Sequence, residues 1–202
     1  MKLINIKYNA GNVRSVQFAL ERLGIEPVLS DDPEVILAAD KIIFPGVGEA
    51  SSAMDYLKQR GLDKLILDAK QPFLGICLGM QLMCSHSEEN DTPCLGIFQE
   101  KVKHFVADQP QTKIPQIGWN TIHDLKTPLF KNVEENSHCY FVHSYYVVAQ
   151  DRARVAASCN YGVKFDAALA DKNLFAVQFH PEKSHTAGLQ LLKNFMNWDG
   201  SC

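Results

Sequence analysis

The chain has 202 residues, 46% of them hydrophobic and 21% charged, which is enough for one domain, residues 1–202, with a sizeable core. Its formal net charge is -3 with both signs interspersed, so it lacks the basic stripe that nucleic-acid binding needs. No segment approaches the roughly 18 apolar residues of a membrane-spanning helix, and the apolar stretch at the N terminus is too short for a signal peptide.

The first half of the chain alternates strand-like apolar runs with amphipathic helical patterns. We predict strands at KLINIK, PVLS, DKIIF and PFLGI. After the turn YNAGN, helical patterns run from Val13 to a stop at Gly24, after Asp32 with Pro33 at the first helical position, from Gly48 to Arg60, from Leu62 to Ala69 and from Leu78 to Cys84. This order predicts an α/β fold with a central, mostly parallel sheet and helices on both faces.

The second half changes in texture after about Asn90. Runs rich in β-branched and aromatic residues predict strands at GIFQ, KVKHFVA, CYFVHSYYVV, RVAASC, FDAALA and LFAVQF. We expect them to form antiparallel additions to the same sheet or a small flanking sheet. A last amphipathic helix, His185 to Trp198, closes the fold.

The cysteines and histidines give no sign of a metal site. The six cysteines contain no CxxC pair, and the seven histidines do not fall at zinc-ligand spacing beside them. We therefore predict no metal and no disulfide framework. Free thiols and the absence of a targeting segment indicate a cytoplasmic protein without nucleic-acid or membrane partners.

Cys77 stands between two glycines, in GICLG, where a predicted strand meets a predicted helix. In a doubly wound sheet, ligands bind outside the carboxyl ends of the strands. The glycines permit a strained turn and close approach of a substrate, as in a nucleophile elbow, and free N–H groups at the start of the helix can receive a developing oxyanion. The alternative is a buried structural cysteine, because the pattern is short.

A candidate base for Cys77 occurs in AVQFHPEKS. His180 ends a predicted strand and Glu182 stands two positions on, so extended chain would point both side chains to the same side. With Cys77 they would form a Cys-His-Glu relay. A lone HPE is more often an ordinary surface turn. His143, in YFVHSYY, is the rival base, although a place inside a strand better suits a packed or substrate-lining histidine.

A third segment, FPGVGEA, follows the third predicted strand. Two glycines around Val47 let backbone N–H groups face outward, as an oxyanion hole requires. Taken alone, the segment is more simply a plain strand-to-helix turn.

Together, GICLGMQL, PGVG and QFHPEKS resemble the class I, triad-type glutamine amidotransferases, which have a flavodoxin-like fold. The segments NAGNVRSV, PGVGEA, IGWN, YFVHSYY, CNYG and HPEKS before LLKNF narrow the resemblance to the glutaminase subunits of imidazole glycerol phosphate synthase. The resemblance covers essentially the whole chain.

The resemblance implies a role for each matching residue. Cys77 would attack the side-chain amide of glutamine, leaving a γ-glutamyl thioester that water hydrolyses, while His180 moves the protons and Glu182 holds its imidazole. The backbone N–H of Leu78 and one from the Gly46–Val47 peptide would form the oxyanion hole, with that peptide turning over in the assembled complex. The positions that match glutamine-binding residues are Gly48, Gln81, Glu89, His143, Ser144 and Tyr145.

The resemblance also implies a partner and no cofactor. A separate barrel-shaped cyclase subunit would form a heterodimer with this chain and use the ammonia to make imidazole glycerol phosphate and aminoimidazole carboxamide ribonucleotide in histidine biosynthesis. Trp119, Asn120, Tyr140 and Lys183 match positions that face the cyclase. Trp119 could equally be a core residue, and Lys183 a solvated charge.

Two positions depart from the family pattern. Asn9 stands where glycine is usual in the first turn, and asparagine tolerates a positive φ better than most residues. Gln116 stands where histidine is frequent, which could alter an interface contact.

Other functions stay open. They are a glutaminase that feeds another synthase, such as a sugar-modifying amidotransferase; a free-standing γ-glutamyl hydrolase or cysteine peptidase; a silent regulatory subunit; and an unrelated flavodoxin-like domain.

Overall fold

The computed structural model describes residues 1–9, 13–106 and 113–201. The strands are β1 (Leu3–Ile6), β2 (Val28–Ser30), β3 (Lys41–Gly46), β4 (Phe73–Cys77), β5 (His86–Ser87), β6 (Thr92–Pro93), β7 (Lys101–His104), β8 (Gln116–His123), β9 (His138–His143), β10 (Tyr145–Val147), β11 (Val155–Tyr161), β12 (Val163–Asp171) and β13 (Leu174–Val177). The helices are α1 (Val13–Glu21), α2 (Pro33–Leu37), α3 (Ala50–Gln59), α4 (Leu62–Asp68), α5 (Leu78–Met83) and α6 (His185–Asn197). None of the helices in these ranges is long and apolar enough to cross a membrane.

Nine strands form one large sheet, in the order β2, β1, β3, β4, β13, β12, β11, β8, β9. The first five run parallel to one another, and the remaining strands pair antiparallel. A second sheet has the order β10, β7, β5, β6. The predicted α/β class is therefore confirmed, and both expected kinds of addition to the parallel core are present. The segment LFAVQF differs from its expectation as an antiparallel addition, because β13 pairs parallel with β4 and completes the parallel core.

The large sheet has a hydrophobic cluster on each face. Successive side chains of a strand point to opposite faces, and Ile42 and Phe44 of β3 accordingly belong to one cluster while Ile43 belongs to the other. Apolar residues of α2, α3 and α4 fill the first cluster, and those of α1 and α6 fill the second. Helices therefore cover both faces, as predicted.

The predicted strand at GIFQ is wrong. The segment contributes the buried side chain of Phe98, but its backbone has another use. The N–H groups of Leu95, Gly96 and Phe98 donate to carbonyls at the end of α5, between residues 82 and 84. The last carbonyls of a helix have no partner within the helix. The N–H groups of this apolar run therefore bond to the free carbonyls at the end of α5, and the run does not join a sheet.

The single strand predicted at CYFVHSYYVV is two strands in two sheets. β9 ends at His143 in the large sheet, and β10 begins at Tyr145 in the second sheet. The Ser144 carbonyl between them accepts from the N–H of Phe105. IGWN, read only as a motif, lies inside β8, which the sequence analysis did not predict as a strand.

Element boundaries differ from the predictions mainly where the carboxyl ends of the strands meet. β3 continues through Pro45 to Gly46. Proline has no backbone N–H to donate, but the pairing of β1 with β3 stops at Ile43, so no carbonyl of β1 is left without a donor at Pro45. α3 begins at Ala50 because the Glu49 side chain caps it. In the turn YNAGN, residues 10–12 lie outside the described residues.

Candidate active site

Cys77 is the last residue of β4 and the N-cap of α5. Its backbone has φ 54 and ψ -109, a conformation that costs free energy for any residue with a side chain. The residue is 5% exposed. The predicted strand-to-helix elbow is therefore present, and its strain is concentrated at the thiol-bearing residue.

The flanking glycines are required by close approach of the backbone. A Cβ at Gly79 would overlap the carbonyl oxygen of Phe44, and a Cβ at Gly75 would lie 3.2 Å from the backbone of Gly79. At Gly79 the neighbour is backbone and cannot move aside, whereas at Gly75 the nearest atom is Sδ of the flexible Met83 side chain, at 2.6 Å, with backbone just beyond it. The two glycines thus let α5 begin directly against β3 and β4.

His180 and Glu182 form a buried pair. The Nδ1 atom of His180 lies 2.8 Å from Oε1 of Glu182, and the side chain of each is 1% exposed. They do not meet through extended chain as predicted, because Pro181 begins a one-turn 3-10 helix, Pro181–Lys183, that carries the carboxylate. The pairing was predicted from the sequence, whereas the turn that achieves it was not.

The remaining imidazole nitrogen is directed toward the elbow. Nε2 of His180 is buried and has no hydrogen-bond partner among the described residues. Burial lowers the pKa of His180, but the nearby side chains of Cys77 and Glu182 favour the protonated ring and raise the pKa overall to about 10. The arrangement favours a proton on the imidazole of His180.

Two further groups touch the sulfur of Cys77. Its Sγ lies 3.9 Å from the carbonyl oxygen of Val142 and 3.6 Å from Nε2 of Gln178. Val142 belongs to β9, at the far edge of the large sheet, so that sheet curls round to cover the elbow.

A pocket of about 280 Å³ opens beside Cys77. The predicted site residues among its lining are Val47, Gly48, Leu78, Gln81, Glu89, His143, Ser144 and Tyr145. Pro115 and Val142 also line it and were not predicted. All six residues assigned to substrate binding therefore come together around the thiol.

The predicted oxyanion segment lies directly beside the elbow. Gly46 pairs with Cys77 in the register of β3 and β4. A Cβ at Gly46 would overlap the Tyr8 hydroxyl and lie 2.7 Å from Cβ of Leu78. Gly48 has φ 107, a backbone conformation that residues with a side chain rarely adopt. The structure thus brings Gly46, Val47 and Leu78 to one side of the sulfur.

His143 lies at the end of β9 and packs among aromatic rings, with Phe105 and Phe165 each 5.3 Å away. Its Nδ1 lies 2.6 Å from the carbonyl oxygen of Tyr145 and therefore carries the proton. Burial lowers the pKa of His143 to about 4. It is a neutral pocket histidine, and the geometry favours His180 over it as the base.

Gln81 and Glu89 are both fixed by hydrogen bonds. Nε2 of Gln81 donates to the carbonyl of Tyr145 and to Oε1 of Gln178, each at 3.0 Å. Oε2 of Glu89 accepts from the N–H of Ala50 at 2.7 Å. Burial raises the pKa of Glu89, which lines the pocket as a half-buried carboxyl group.

The four predicted interface residues lie on neighbouring elements. Trp119 of β8 pairs with Tyr140 of β9, and Nζ of Lys183 lies 5.5 Å from the Tyr140 ring centre. Asn120 donates to the carbonyl of Asn160. Trp119 is 46% exposed, so it is not a core residue. The backbone N–H of His180 donates to the carbonyl of Tyr140. We call these four residues the Trp119 surface (Trp119, Asn120, Tyr140 and Lys183). The backbone hydrogen bond between His180 and Tyr140 connects this surface to the active site.

Sequence reasoning missed two buried residues beside the thiol. Gln178 was inside the quoted segment AVQFHPEKS, two positions before His180, and the same-side argument used for Glu182 could have found it. Tyr8 is buried, its hydroxyl has no hydrogen-bond partner among the described residues, and burial together with the charge of Cys77 raises its pKa. A lone tyrosine in an N-terminal turn carries no such signal.

The two departures from the family pattern have different settings. Nδ2 of Asn9 donates to the carbonyl of Ser52, which ties the first turn to α3. Gln116 is 2% exposed and pairs with His143, so it is not on an exposed face. Gln116 therefore occupies a buried packing position, and the expected effect on an interface contact stays a prediction.

The side chains of the described residues include no group of three histidine, cysteine, aspartate or glutamate residues that could hold a metal ion. The expectation of no cofactor stays a prediction.

Comparison with known proteins identifies the family. The model of the class I glutamine amidotransferases matches residues 8–198. The HisH subunit of imidazole glycerol phosphate synthase from Bacteroides fragilis is 54% identical over 97% of this chain and 99% of its own, and that of Bacteroides thetaiotaomicron is 51% identical over 98% and 100%. PurLQS from Thermotoga maritima, at 20% identity, shares the fold with a TM-score of 0.68 over 97% of each chain.

The elbow, the buried His180–Glu182 pair and the pocket match what the sequence motifs predicted for one family, and the relatives cover nearly the whole chain. The chain belongs to the class I glutamine amidotransferases and, within them, to the HisH subunits of imidazole glycerol phosphate synthase.

Proposed function

We propose that this chain hydrolyses glutamine to glutamate and ammonia and delivers the ammonia to a cyclase subunit that makes imidazole glycerol phosphate and aminoimidazole carboxamide ribonucleotide. The observation that carries the proposal is the thiol of Cys77 at a strained elbow, facing His180, whose other nitrogen is held by Glu182 at 2.8 Å. A nucleophile, a base and a group that orients the base are the parts that acyl transfer through a thioester needs.

The first half of the reaction forms the thioester. The Cys77 proton passes to Nε2 of His180, and the sulfur forms a bond to the amide carbon of glutamine. The carbonyl oxygen becomes an oxyanion beside the N–H of Leu78 and the Gly46–Val47 peptide. The C–N bond then breaks as His180 returns the proton to the departing nitrogen, which releases ammonia.

The second half removes the glutamyl group. Water gives a proton to His180 and its oxygen bonds to the thioester carbon, the C–S bond breaks, and the proton returns to the sulfur. Glutamate leaves and the thiol is restored. Glu182 keeps the Nδ1 proton in place throughout, so Nε2 is always the atom that exchanges protons with the reactants.

The pocket supports glutamine as the substrate. The Glu89 carboxylate at the pocket wall suits the α-amino group, and the segment from His143 to Tyr145 suits the α-carboxylate. The open side beside Cys77 leaves room for the side-chain amide. A single glutamine molecule fits in a pocket of about 280 Å³.

The partner is proposed from the relatives and from the Trp119 surface. The relatives are named as subunits of imidazole glycerol phosphate synthase, which implies a second subunit. An exposed tryptophan beside Tyr140 and Lys183 is the kind of surface that is enriched in protein interfaces. The cytoplasmic location stays a prediction.

The experiment that tests this function is glutamate release from glutamine, measured for the purified chain alone and then with the cyclase subunit and its nucleotide ligand. We expect slow release alone and a many-fold rise in the complex. An unchanged rate with the folded cyclase would mean that the chain serves a different synthase, such as a sugar-modifying amidotransferase. No release under any condition would mean a silent regulatory subunit.

A further inference from the structure

We propose that Gln178 is a positioning residue for the nucleophile: its side-chain amide donates a hydrogen bond to the Cys77 thiolate and links that thiolate to Gln81 in the pocket wall. The proposal rests on the proposed glutaminase function only in treating Cys77 as the nucleophile.

The direction of each hydrogen bond follows from a backbone carbonyl. The Tyr145 carbonyl can only accept, so the group of Gln81 that lies 3.0 Å from it must be the NH₂. The same nitrogen lies 3.0 Å from the Gln178 side chain, which must therefore present its oxygen to Gln81. The Gln178 NH₂ is then the group that lies 3.6 Å from Sγ of Cys77. A flipped amide would bring two NH₂ groups together.

The link is sealed from solvent. Gln178 is 0% exposed and Gln81 is 4% exposed. The backbone N–H of Gln178 donates to the carbonyl of Ala167 in β12, so the residue is also held at its main chain. In a dry interior a hydrogen bond to a charged acceptor is stronger than in water, and a buried amide without a partner is costly. The position therefore favours a polar side chain that is satisfied at both ends.

Of the two polar neighbours of the sulfur, one can bond to the neutral thiol and the other to the thiolate. The carbonyl of Val142, 3.9 Å from Sγ, can accept from the neutral thiol and would repel a thiolate. The Gln178 N–H can donate to a thiolate. When the proton moves from Cys77 to His180, the contact with Gln178 becomes the stronger of the two. Gln178 thus favours the charge-separated pair from which attack begins.

The same link connects the substrate pocket to the nucleophile. Gln81 lines the pocket, and its NH₂ fixes the orientation of the Gln178 amide. A substrate glutamine that contacts Gln81 therefore affects the orientation of the Gln178 amide, which donates to Sγ of Cys77. Gln178 needs no contact with substrate to influence the reaction.

The test measures thiol reactivity and turnover separately. Iodoacetamide alkylation of Cys77, followed by mass spectrometry of its peptide across pH, is compared among wild type, Gln178→Leu and Gln178→Glu, with Gln190→Leu on α6 as the matched control. We expect Gln178→Leu to lower the alkylation rate at neutral pH about tenfold and to move the profile to higher pH. In the complex, kcat should fall by a similar factor while KM changes little.

Gln178→Glu gives a signature that a purely structural role would not produce. Burial and the neighbouring thiolate raise the pKa of the introduced carboxyl group, so its ionised form prevails only toward alkaline pH, where it repels the thiolate and alkylation should be slower than in Gln178→Leu. At acid pH the protonated carboxyl group regains a donor, and the rate should recover relative to Gln178→Leu. Gln178→Asn, which keeps the amide but shortens its reach, replaces Gln178→Leu if that variant does not fold, and should show the same shift to higher pH.

An alkylation profile of folded Gln178→Leu or Gln178→Asn that coincides with wild type would overturn the proposal. This outcome is distinct from failure of the proposed function, because alkylation of Cys77 is read without glutamine turnover. Wild type that releases no glutamate in the complex would reject the function, whatever the effect of Gln178 on the thiol.

Discussion

Nδ1 of His180 lies 2.8 Å from Oε1 of Glu182, at a depth where each side chain is 1% exposed. A buried carboxylate needs a charged or hydrogen-bonding partner, and here that partner is the imidazole. The pair therefore fixes the tautomer of His180 and leaves Nε2 to face Cys77.

Substitution of Glu182 by glutamine should lower glutamate release at least about a hundredfold. The amide can present an N–H to Nδ1, which would put the imidazole proton on Nε2 and leave no acceptor for the Cys77 proton. Steady-state release in the cyclase complex measures the effect, with the exposed Glu26→Gln as control. Nearly full activity of Glu182→Gln would show that the carboxylate does not orient the base.

The raised pKa of His180, to which Cys77 contributes first and Glu182 next, makes stability depend on pH. The pKa of His180 is raised in the folded state, so its contribution is fully present below the unfolded value of about 6.5 and is lost as pH rises through the folded value. The loss of unfolding free energy in Glu182→Gln should therefore be largest near about pH 6 and shrink toward about pH 10. Denaturant titrations across that range measure it. A loss that grows with pH would contradict the assigned sign.

His143 should show the opposite pH dependence. Burial lowers its pKa to about 4, so the unfolded chain takes up a proton first and the folded state loses stability as pH falls from about 6.5 toward 4. His143→Gln should reduce this acid loss in thermal or denaturant unfolding. It should also keep more glutaminase activity than His180→Ala, and equal loss in both variants would restore His143 as a candidate base.

Removal of the nucleophile should separate the two activities of the complex. Cys77→Ala is expected to abolish glutamine-dependent synthesis and to leave synthesis from added ammonium salts intact, because the acceptor site lies on the other subunit. Cys94→Ala, at a half-buried thiol outside the pocket lining, should keep both. Loss of ammonium-dependent synthesis in a correctly assembled Cys77→Ala complex would count against this division of labour.

Gly188 tests the turn that carries Glu182. A Cβ at this position of α6 would overlap the carbonyl oxygen of Pro181, so Gly188→Ala must displace the turn Pro181–Lys183. We expect a loss of about 1–3 kcal/mol in unfolding free energy and reduced glutaminase activity. The exposed Lys193→Ala on the same helix should stay within about 0.5 kcal/mol of wild type. Equal stability of the two variants would reject the close approach.

Trp119 tests the proposed cyclase surface. Its ring is 46% exposed and stacks on His185, with centroids 4.9 Å apart and planes 16° apart. Trp119→Ala should weaken binding of the cyclase subunit at least about tenfold while changing unfolding free energy little, because the ring is not in the core. Calorimetric titration measures the affinity, and Phe18→Ala serves as control for another exposed aromatic residue. Unchanged affinity would remove Trp119 from the interface.

Features that depend on neighbouring residues could be predicted from the sequence. Alternating apolar runs and helical patterns predicted the parallel strands β1 to β4, although not the parallel pairing of β13, because such periodicity encodes which face of an element is buried. The glycines beside Cys77 predicted the elbow, and the spacing of His180 and Glu182 predicted their pairing. The ordered motifs predicted the family that the relatives later identified.

Features that depend on contacts between distant segments could not be predicted before the fold was known. Gln178 meets Cys77 across 101 positions and Val142 meets it across 65, and neither contact has a local pattern. The run GIFQ has the composition of a strand, but its N–H groups donate to the free carbonyls at the end of α5. Local sequence limits each segment to a few conformations, whereas the competition for hydrogen bonds and buried surface among all segments selects one of them, and that competition exists only in the folded chain.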